Sequence, residues 1–322
     1  MRTIYRCKRR RLSIKAENEP LYISIATQLK KAPGSIMSFI LKTIVILISI
    51  CSIASLPYLV GSFNAAGDSF GVYPIEYIKE IGTTLIGLFN FYILEETTFD
   101  GVQINFDYLL EAYQYSMSLL MIALFISFTA VLVMLYGYHF LSGRMKKAVN
   151  WLLVLLDCIP DVLLIVLFQL GVIYLYQTTG FKLFQLYGIG DPVYLLPIIC
   201  LSLTPTILLL KMSLTIKDEE SEKLYVDFAY AKGVTRSNVF LVHMLRNMML
   251  SITNHFSLIY WMMLSSLIII EYLFVIQGFT LILYKVNEST LLAVAILLFL
   301  IPYLIMNWLF NKLHRRLVID EG

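Results

Sequence analysis

Charged side chains are scarce in this chain: they make up 15% of its 322 residues, against roughly 25% in ordinary soluble domains. Hydrophobic residues reach 59%, and the mean hydropathy is +0.77. A soluble fold of this length has no interior large enough for so much apolar surface, whereas a lipid bilayer can accept it. The composition therefore excludes an ordinary soluble enzyme and indicates a protein that crosses a membrane several times.

Several motifs of common enzymes are also missing. A nucleotide-binding P-loop needs G-x-x-x-x-G-K-[ST], and the dipeptide Gly-Lys does not occur in the sequence. H-E-x-x-H does not occur, the four histidines are scattered, and the four cysteines lack the spacing of a zinc or redox site. We therefore expect no catalytic residues, no metal and no cofactor bound by this chain, and any ATP to be used by another protein.

Long apolar runs predict an all-α fold with about six transmembrane helices, because about 20 apolar residues are needed to cross roughly 30 Å of hydrocarbon. The predicted spans are 36–60, 116–141, 149–176, 193–214, 256–276 and 291–310. They lie between an N-terminal tail, 1–35, and a C-terminal tail, 311–322, and form a membrane domain over 36–310. The longest connections are an outer loop, 61–115, and an inner loop, 215–255.

Lysine and arginine are concentrated on alternate connections, which is the pattern of loops retained in the cytoplasm. Both tails, the loop after span two and the loop 215–255 carry three or more lysines and arginines each, whereas the three other loops carry one lysine each: Lys79, Lys182 and Lys285. Both termini are therefore predicted to be cytoplasmic, in a bacterial plasma or inner membrane. The basic leader is longer than a secretory signal normally has, which favours an uncleaved first span. The acidic outer loop is either a solvated connection or a docking surface for an external partner.

The loop 215–255 is predicted to form two short amphipathic helices. Its acidic residues Asp218, Glu219, Glu220 and Glu222 are expected to mark the N-terminus of the first helix. Leu224, Phe228 and Ala231 then follow at helical spacing and form one apolar stripe. This stripe favours docking into a groove of a partner protein, and a helix lying on the lipid surface is the alternative.

Gly233 is predicted to stop the first helix with a positive φ, as glycine commonly does after a helix C-terminus. Thr235 or Ser237 is expected to cap the second helix, which runs on into span five. The predicted apolar face of the second helix carries Val239, Val242, Leu245 and Met249.

The stretch Tyr225–Gly233, followed by His243–Asn247, resembles the cytoplasmic "EAA" loop of ATP-binding-cassette (ABC) importer permeases, most closely the dipeptide, oligopeptide and nickel family. That family reads approximately D-Y-V-R-T-A-R-A-K-G, with H-A-L-R-N ten residues after the glycine. The residues that match are Tyr225, Ala229, Ala231, Lys232, Gly233, His243, Leu245, Arg246 and Asn247. The departures are Leu224, Asp227, Phe228 and Tyr230.

Two weaker matches lie in the predicted spans. Residues 270–274 resemble the family's V-E-T-V-F, and residues 277–279 stand where the family has P-G-L-G, without the proline and the second glycine. Ile159 and Pro160 stand where the family has S-I-P.

The resemblance implies a type I ABC importer permease with cytoplasmic coupling helices. It also implies its partners: a second, homologous permease, two cytoplasmic ATPases that bind ATP, and an extracellular or periplasmic substrate-binding protein. The substrate would be a short peptide or a nickel chelate. The residues implied for ATPase coupling are Leu224, Tyr225, Asp227, Phe228, Ala229, Ala231, Lys232, Gly233, His243, Arg246 and Asn247.

Asp157 and Asp161 flank Pro160 in predicted span three, and a spacing of four residues would place both carboxylates on one helix face. Ionisable groups at membrane depth are functional hypotheses by default. These two could line a pathway for a positively charged substrate group, or could pair with Lys211 or Thr204 of another span. Pathway candidates are therefore Asp157, Pro160, Asp161 and Glu271. A self-sufficient channel or secondary transporter, and an intramembrane enzyme using the two aspartates, remain alternatives.

Overall fold

The structure, a computed structural model, describes residues 36–60, 71–89, 98–99, 102–103, 106–180, 185, 188, 192–285 and 288–319. These residues are almost entirely helical, which confirms the predicted all-α class. They also include a two-residue antiparallel pairing of β1 (Thr98–Phe99) with β2 (Val102–Gln103). The predicted N-terminal tail and much of the acidic outer loop lie outside the described residues.

The chain divides into two compact units, residues 1–85 and 86–322. In the first unit, α1 (Ile36–Ala54) leads into a short 3₁₀ turn, and an antiparallel bridge joins Val60 to Val72. Helix α2 (Pro74–Gly87) follows, so the predicted outer loop contains a helix. Ser55 and Thr84 share a hydrogen bond of 3.2 Å, which ties the end of α1 to α2.

The second unit carries the long helices. They are α3 (Phe106–Phe140), α4 (Gly143–Asp157), α5 (Asp161–Thr179), α6 (Leu195–Ser221), α10 (Phe256–Leu273) and α12 (Ser289–Ile319). Between α6 and α10 lie α7 (Leu224–Ala231), α8 (Arg236–Asn238), a π-helical turn (Val239–Met244) and α9 (Leu245–Asn254). The short α11 (Phe279–Lys285) precedes α12.

Five helices in the described part of the chain are long and apolar enough to cross a membrane: Phe106–Phe140, Asp161–Thr179, Leu195–Ser221, Phe256–Leu273 and Ser289–Lys312. The apolar stretch Leu41–Ala54 of α1, which lies in the first predicted span, is shorter than these five. Because α3 starts at Phe106, span two begins about ten residues earlier than its apolar run alone predicted.

Predicted span three, 149–176, is wrong as a single helix. The chain leaves the helical path between Asp157 and Asp161, so that α4 ends and α5 begins there. Pro160 explains the break, because it has no backbone N–H to donate and its ring disfavours a helical conformation at Ile159. The backbone of Pro160 is extended, with ψ of 142°, so this proline separates two helices instead of bending one.

The core of the second unit lies around α3, α6 and α10. Ser127 of α3 donates to the carbonyl oxygen of Ser202 in α6 at 3.1 Å, which joins the two helices inside the apolar packing. Tyr260 of α10 donates to the carbonyl oxygen of Phe299 in α12 at 2.7 Å. Helix α6 extends past its apolar part to Ser221, and its last turn positions the segment that follows.

Candidate functional site

The segment after α6 forms a helix–turn–helix whose turn is set by Gly233. Helix α7 ends at Ala231, and Gly233 has the predicted positive φ, +80°. Its N–H donates to the carbonyl oxygen of Tyr230 at 2.9 Å, and the N–H of Val234 donates to that of Ala229 at 3.2 Å. These bonds satisfy carbonyl groups that the helix end would leave unpaired, in the way of a Schellman cap. The sequence-based prediction of a glycine stop is confirmed.

Helix α7 has one face packed on its own chain and one open face. Val226 and Ala229 are buried. Leu224 is 85% exposed and Phe228 is 62% exposed, and Ala231 lies on the same side. In the described part of the chain this side forms an open depression of about 560 Å³, lined by Leu224, Tyr225, Asp227, Phe228 and Ala231.

The charges beside the open face are mixed. Lys232 places its Nζ 4.4 Å from the centre of the Phe228 ring, a cation–π distance. Asp227 is exposed on the same helix. We name Leu224, Phe228 and Ala231 the open face of α7. Burying side chains such as those of Leu224 and Phe228 contributes about 1.5–3 kcal/mol each, so this face can stabilise a complex.

The acidic cluster does not lie where the sequence predicted. Asp218, Glu219 and Glu220 belong to the last turns of α6, and Lys223 occupies the N-cap position of α7. The negative charges therefore end one helix and do not begin the next.

Glu220 is the buried member of this cluster, with 5% of its surface exposed. Its carboxylate accepts from Lys223 Nζ at 2.6 Å, from the Tyr225 hydroxyl, and from Asn247 Nδ2 at 3.2 Å. Sequence reasoning named Tyr225 and Asn247 through the family resemblance but missed Glu220. Tyr225 and Asn247 belong to different helices, so only the packing of these helices reveals the carboxylate that they share.

The second helix presents a different face from the one predicted. Val239, Phe240, Met244, Met248 and Ile252 are buried, whereas Val242 is exposed. The reason is the π-helical turn Val239–Met244, whose i→i+5 bonding inserts one extra residue and shifts the apolar face. Of the predicted face, Val239 is buried and Leu245 and Met249 pack against the core, so the prediction is wrong for Val242.

The ends of the second helix differ in detail as well. Thr235 occupies the N-cap position of α8 without a side-chain capping bond, and the Ser237 and Tyr136 hydroxyls share a hydrogen bond of 3.1 Å. His243 is exposed, while Arg246 and Asn247 are half-buried. Helix α9 then passes through His255 into α10, as predicted.

The aspartates beside Pro160 do not share a helix face. Asp157 is the last residue of α4 and Asp161 is the first residue of α5. Asp157 forms an ion pair with Lys211 of α6, one of the two structural partners that the sequence suggested. Asp161 accepts a long hydrogen bond, 3.5 Å, from the Ser266 hydroxyl of α10. An intramembrane enzyme that relies on two carboxylates of one helix therefore loses its geometric basis.

Glu271 lies at the end of α10 and is 0% exposed. Ser116 donates to its Oε1 at 2.6 Å, the N–H of Leu281 donates to its Oε2 at 3.0 Å, and the Thr280 hydroxyl donates to the same oxygen. Ser116 also accepts from the N–H of Phe279 at 2.8 Å. This carboxyl group thus ties α3 and α10 to the start of α11, and it does not face an open surface of this chain.

Gly278 lies directly against that carboxyl group. A Cβ atom at this position would stand 2.2 Å from Glu271 Cδ, far inside van der Waals contact. Close packing therefore favours glycine at position 278.

No group of three or more histidine, cysteine, aspartate or glutamate residues in the described segments is arranged to hold a metal ion.

A known protein family matches the part of the chain that contains this site. The family model described as "Binding-protein-dependent transport system inner membrane component" matches residues 135–319, which is more than half of the chain and includes α4 to α12. No curated protein matches the chain. The chain therefore belongs to the family of binding-protein-dependent transport system inner membrane components.

Proposed function

We propose that this membrane permease is energised through the open face of α7 as part of an ABC importer for short peptides or nickel chelates. One observation carries the proposal: a short helix, closed by Gly233, that projects an apolar face away from its own chain. Family membership supports the class of machine. The match of Tyr225, Ala231 and Gly233 to the EAA loop supports the position of the contact.

The proposed complex contains this chain, a second homologous permease, two cytoplasmic ATPases and an external substrate-binding protein. ATP binds to the ATPases, since the sequence has no P-loop. When the ATPases close, the groove that holds α7 moves, and α7 moves with it. The buried side of α7 passes this displacement to α6 and α9, and the long helices rock between two states.

Residues of α4 and α5 are proposed to hold the helices together and to line the substrate pathway. The Asp157–Lys211 pair holds α4 against α6. Asp161 has one long hydrogen bond and retains acceptor capacity, so it is the better candidate for a pathway residue that meets a cationic group of the substrate. Pro160 separates the two carboxylates by ending one helix before the next begins.

The proposed function is tested by purification of the tagged chain from its native membrane, followed by reconstitution into liposomes. We expect a P-loop ATPase and a second permease to remain bound, and peptide or nickel-chelate uptake to require hydrolysable ATP and a binding protein. Uptake by the chain alone, without ATP, would instead identify a self-sufficient channel or secondary transporter.

The proposed orientation places both termini and the start of α4 in the cytoplasm, because these segments carry the basic residues. In a variant without Cys7, Cys51, Cys158 and Cys200, a cysteine at Lys146 should stay unlabelled by an impermeant reagent in intact cells. A cysteine at Lys79, in α2, should be labelled from outside. Labelling of position 146 in intact cells would contradict this orientation.

A further inference from the structure

We infer that Glu220 is a positioning residue that transmits movement of α7 to α9 and α10, separately from the docking of the ATPase. The inference rests on the proposed function. It identifies Glu220 with its donors Lys223, Tyr225 and Asn247, here called the joint, as a connection through which α7 moves the transmembrane helices. It starts from a buried carboxylate that links three helical elements.

The partners of Glu220 come from three places in the chain. Lys223 is the residue immediately before α7, Tyr225 lies in its first turn, and Asn247 lies in α9. All three donate to the carboxylate, which itself belongs to the last turn of α6. A buried carboxylate that accepts hydrogen bonds from several donors holds them in a fixed arrangement. If a donor moved away, the buried negative charge would lose one of its hydrogen bonds, which is energetically costly.

The geometry separates this joint from the docking face. Leu224 and Phe228 point away from the chain, whereas Glu220 is buried beneath the same helix. Asn247 stands in the helix that continues through His255 into α10, where the N–H of Ile259 donates to the carbonyl oxygen of His255 at 3.2 Å. A displacement of α7 therefore has a route to α10 that runs from Tyr225 through the Glu220 carboxylate to Asn247 and along α9.

The sequence supplies matched controls for this test. Glu219 and Glu222 flank the joint, carry the same charge and are exposed. Glu219→Gln and Glu222→Gln change the net charge as Glu220→Gln does, but they leave the buried hydrogen bonds intact. Tyr225→Phe removes one hydroxyl from the joint and is the mildest probe of it.

The experiment uses the assembled transporter in liposomes, with its ATPases and binding protein, and measures three quantities: ATPase retained, ATP hydrolysed and substrate taken up. For Glu220→Gln we expect ATPase retention within about twofold of wild type and uptake per ATP reduced about tenfold or more, since hydrogen bonds to a charged group are lost. Tyr225→Phe should lower uptake per ATP in the same direction. The double variant should fall no further than Glu220→Gln, because both changes act on one joint.

Unchanged uptake per ATP in both Glu220→Gln and Tyr225→Phe would overturn the inference. A parallel loss of ATPase retention and uptake, at constant uptake per ATP, would also overturn it, because that is the result of a merely structural role. If Glu220→Gln fails to accumulate, Tyr225→Phe decides between these outcomes. A wild-type transporter that retains no ATPase would contradict the proposed function itself, and with it the joint.

Discussion

Replacement of Gly278 by alanine is expected to lower the amount of folded permease at least tenfold. The new Cβ would stand 2.2 Å from Glu271 Cδ, so the carboxyl group must leave Ser116, Thr280 and Leu281. A buried carboxyl group deprived of its donors costs about 3 kcal/mol or more, and the thermal midpoint in detergent should fall by roughly 10 °C. Membrane accumulation and thermal unfolding measure the effect.

A second glycine provides the control for this prediction. Gly171 lies in α5, is exposed, and has no atom within 4 Å of an added Cβ. Gly171→Ala should be neutral or stabilise the protein by about 0.5–1 kcal/mol, because alanine favours a helix over glycine. Glu271→Gln should give an intermediate loss, since an amide keeps only one acceptor oxygen for the donors of Ser116, Thr280 and Leu281. Equal behaviour of Gly278→Ala and Gly171→Ala would contradict the packing role of Gly278.

Ala231→Glu and Gly233→Val are expected to abolish ATPase retention while the permease still inserts. Ala231 lies on the open face of α7, so a glutamate there would place an unpaired charge in the buried contact. Such a charge costs several kcal/mol, which weakens binding by about a thousandfold. Gly233 has φ of +80°, and a β-branched residue there strongly resists this conformation. Co-purification of the ATPase, alongside ATP hydrolysis, measures both losses.

Two control variants test whether the losses come from the backbone conformation at position 233 and from the position of the added charge. No atom lies within 4 Å of an added Cβ at Gly233, so Gly233→Val acts through the backbone. Gly233→Asn should retain the ATPase, because asparagine tolerates a left-handed conformation. Ala148→Glu adds the same charge at an exposed position of α4 and should also retain it. Full retention by Ala231→Glu and Gly233→Val would remove α7 from the coupling mechanism.

The sequence predicted those parts of the fold that local rules decide. Apolar run length is a property of consecutive residues, and it located the long helices. The stop of α7 at Gly233 also follows from one residue and its neighbours, since a glycine can adopt the positive φ that a helix end needs.

The remaining features depend on contacts between distant segments. The spacing of apolar residues could not show the π-helical turn, which moved Val242 to the surface and Met244 and Met248 into the core. The acidic residues Asp218, Glu219, Glu220 and Glu222 looked alike in the sequence, and only packing of α6 against α7 and α9 distinguishes Glu220 from the others.

The hydrogen-bond partners of ionisable groups at membrane depth could not be predicted from the sequence either. Glu271 looked like a pathway residue because an ionisable group in a span is expensive. Its donors come from Ser116, far away in the chain, and from the backbone of α11. Asp157 and Asp161 looked like neighbours on one helix until Pro160 separated them.

The most direct measurement is site-specific photo-crosslinking of α7 in the assembled transporter. A photoreactive residue at the exposed positions Leu224 and Phe228 should crosslink to the ATPase, and one at the buried positions Val226 and Ala229 should not. This pattern, which alternates between the two faces of a single helix, is the result that docking through the open face predicts. Crosslinks from Leu224 and Phe228 to lipid alone, with none to the ATPase, would contradict it.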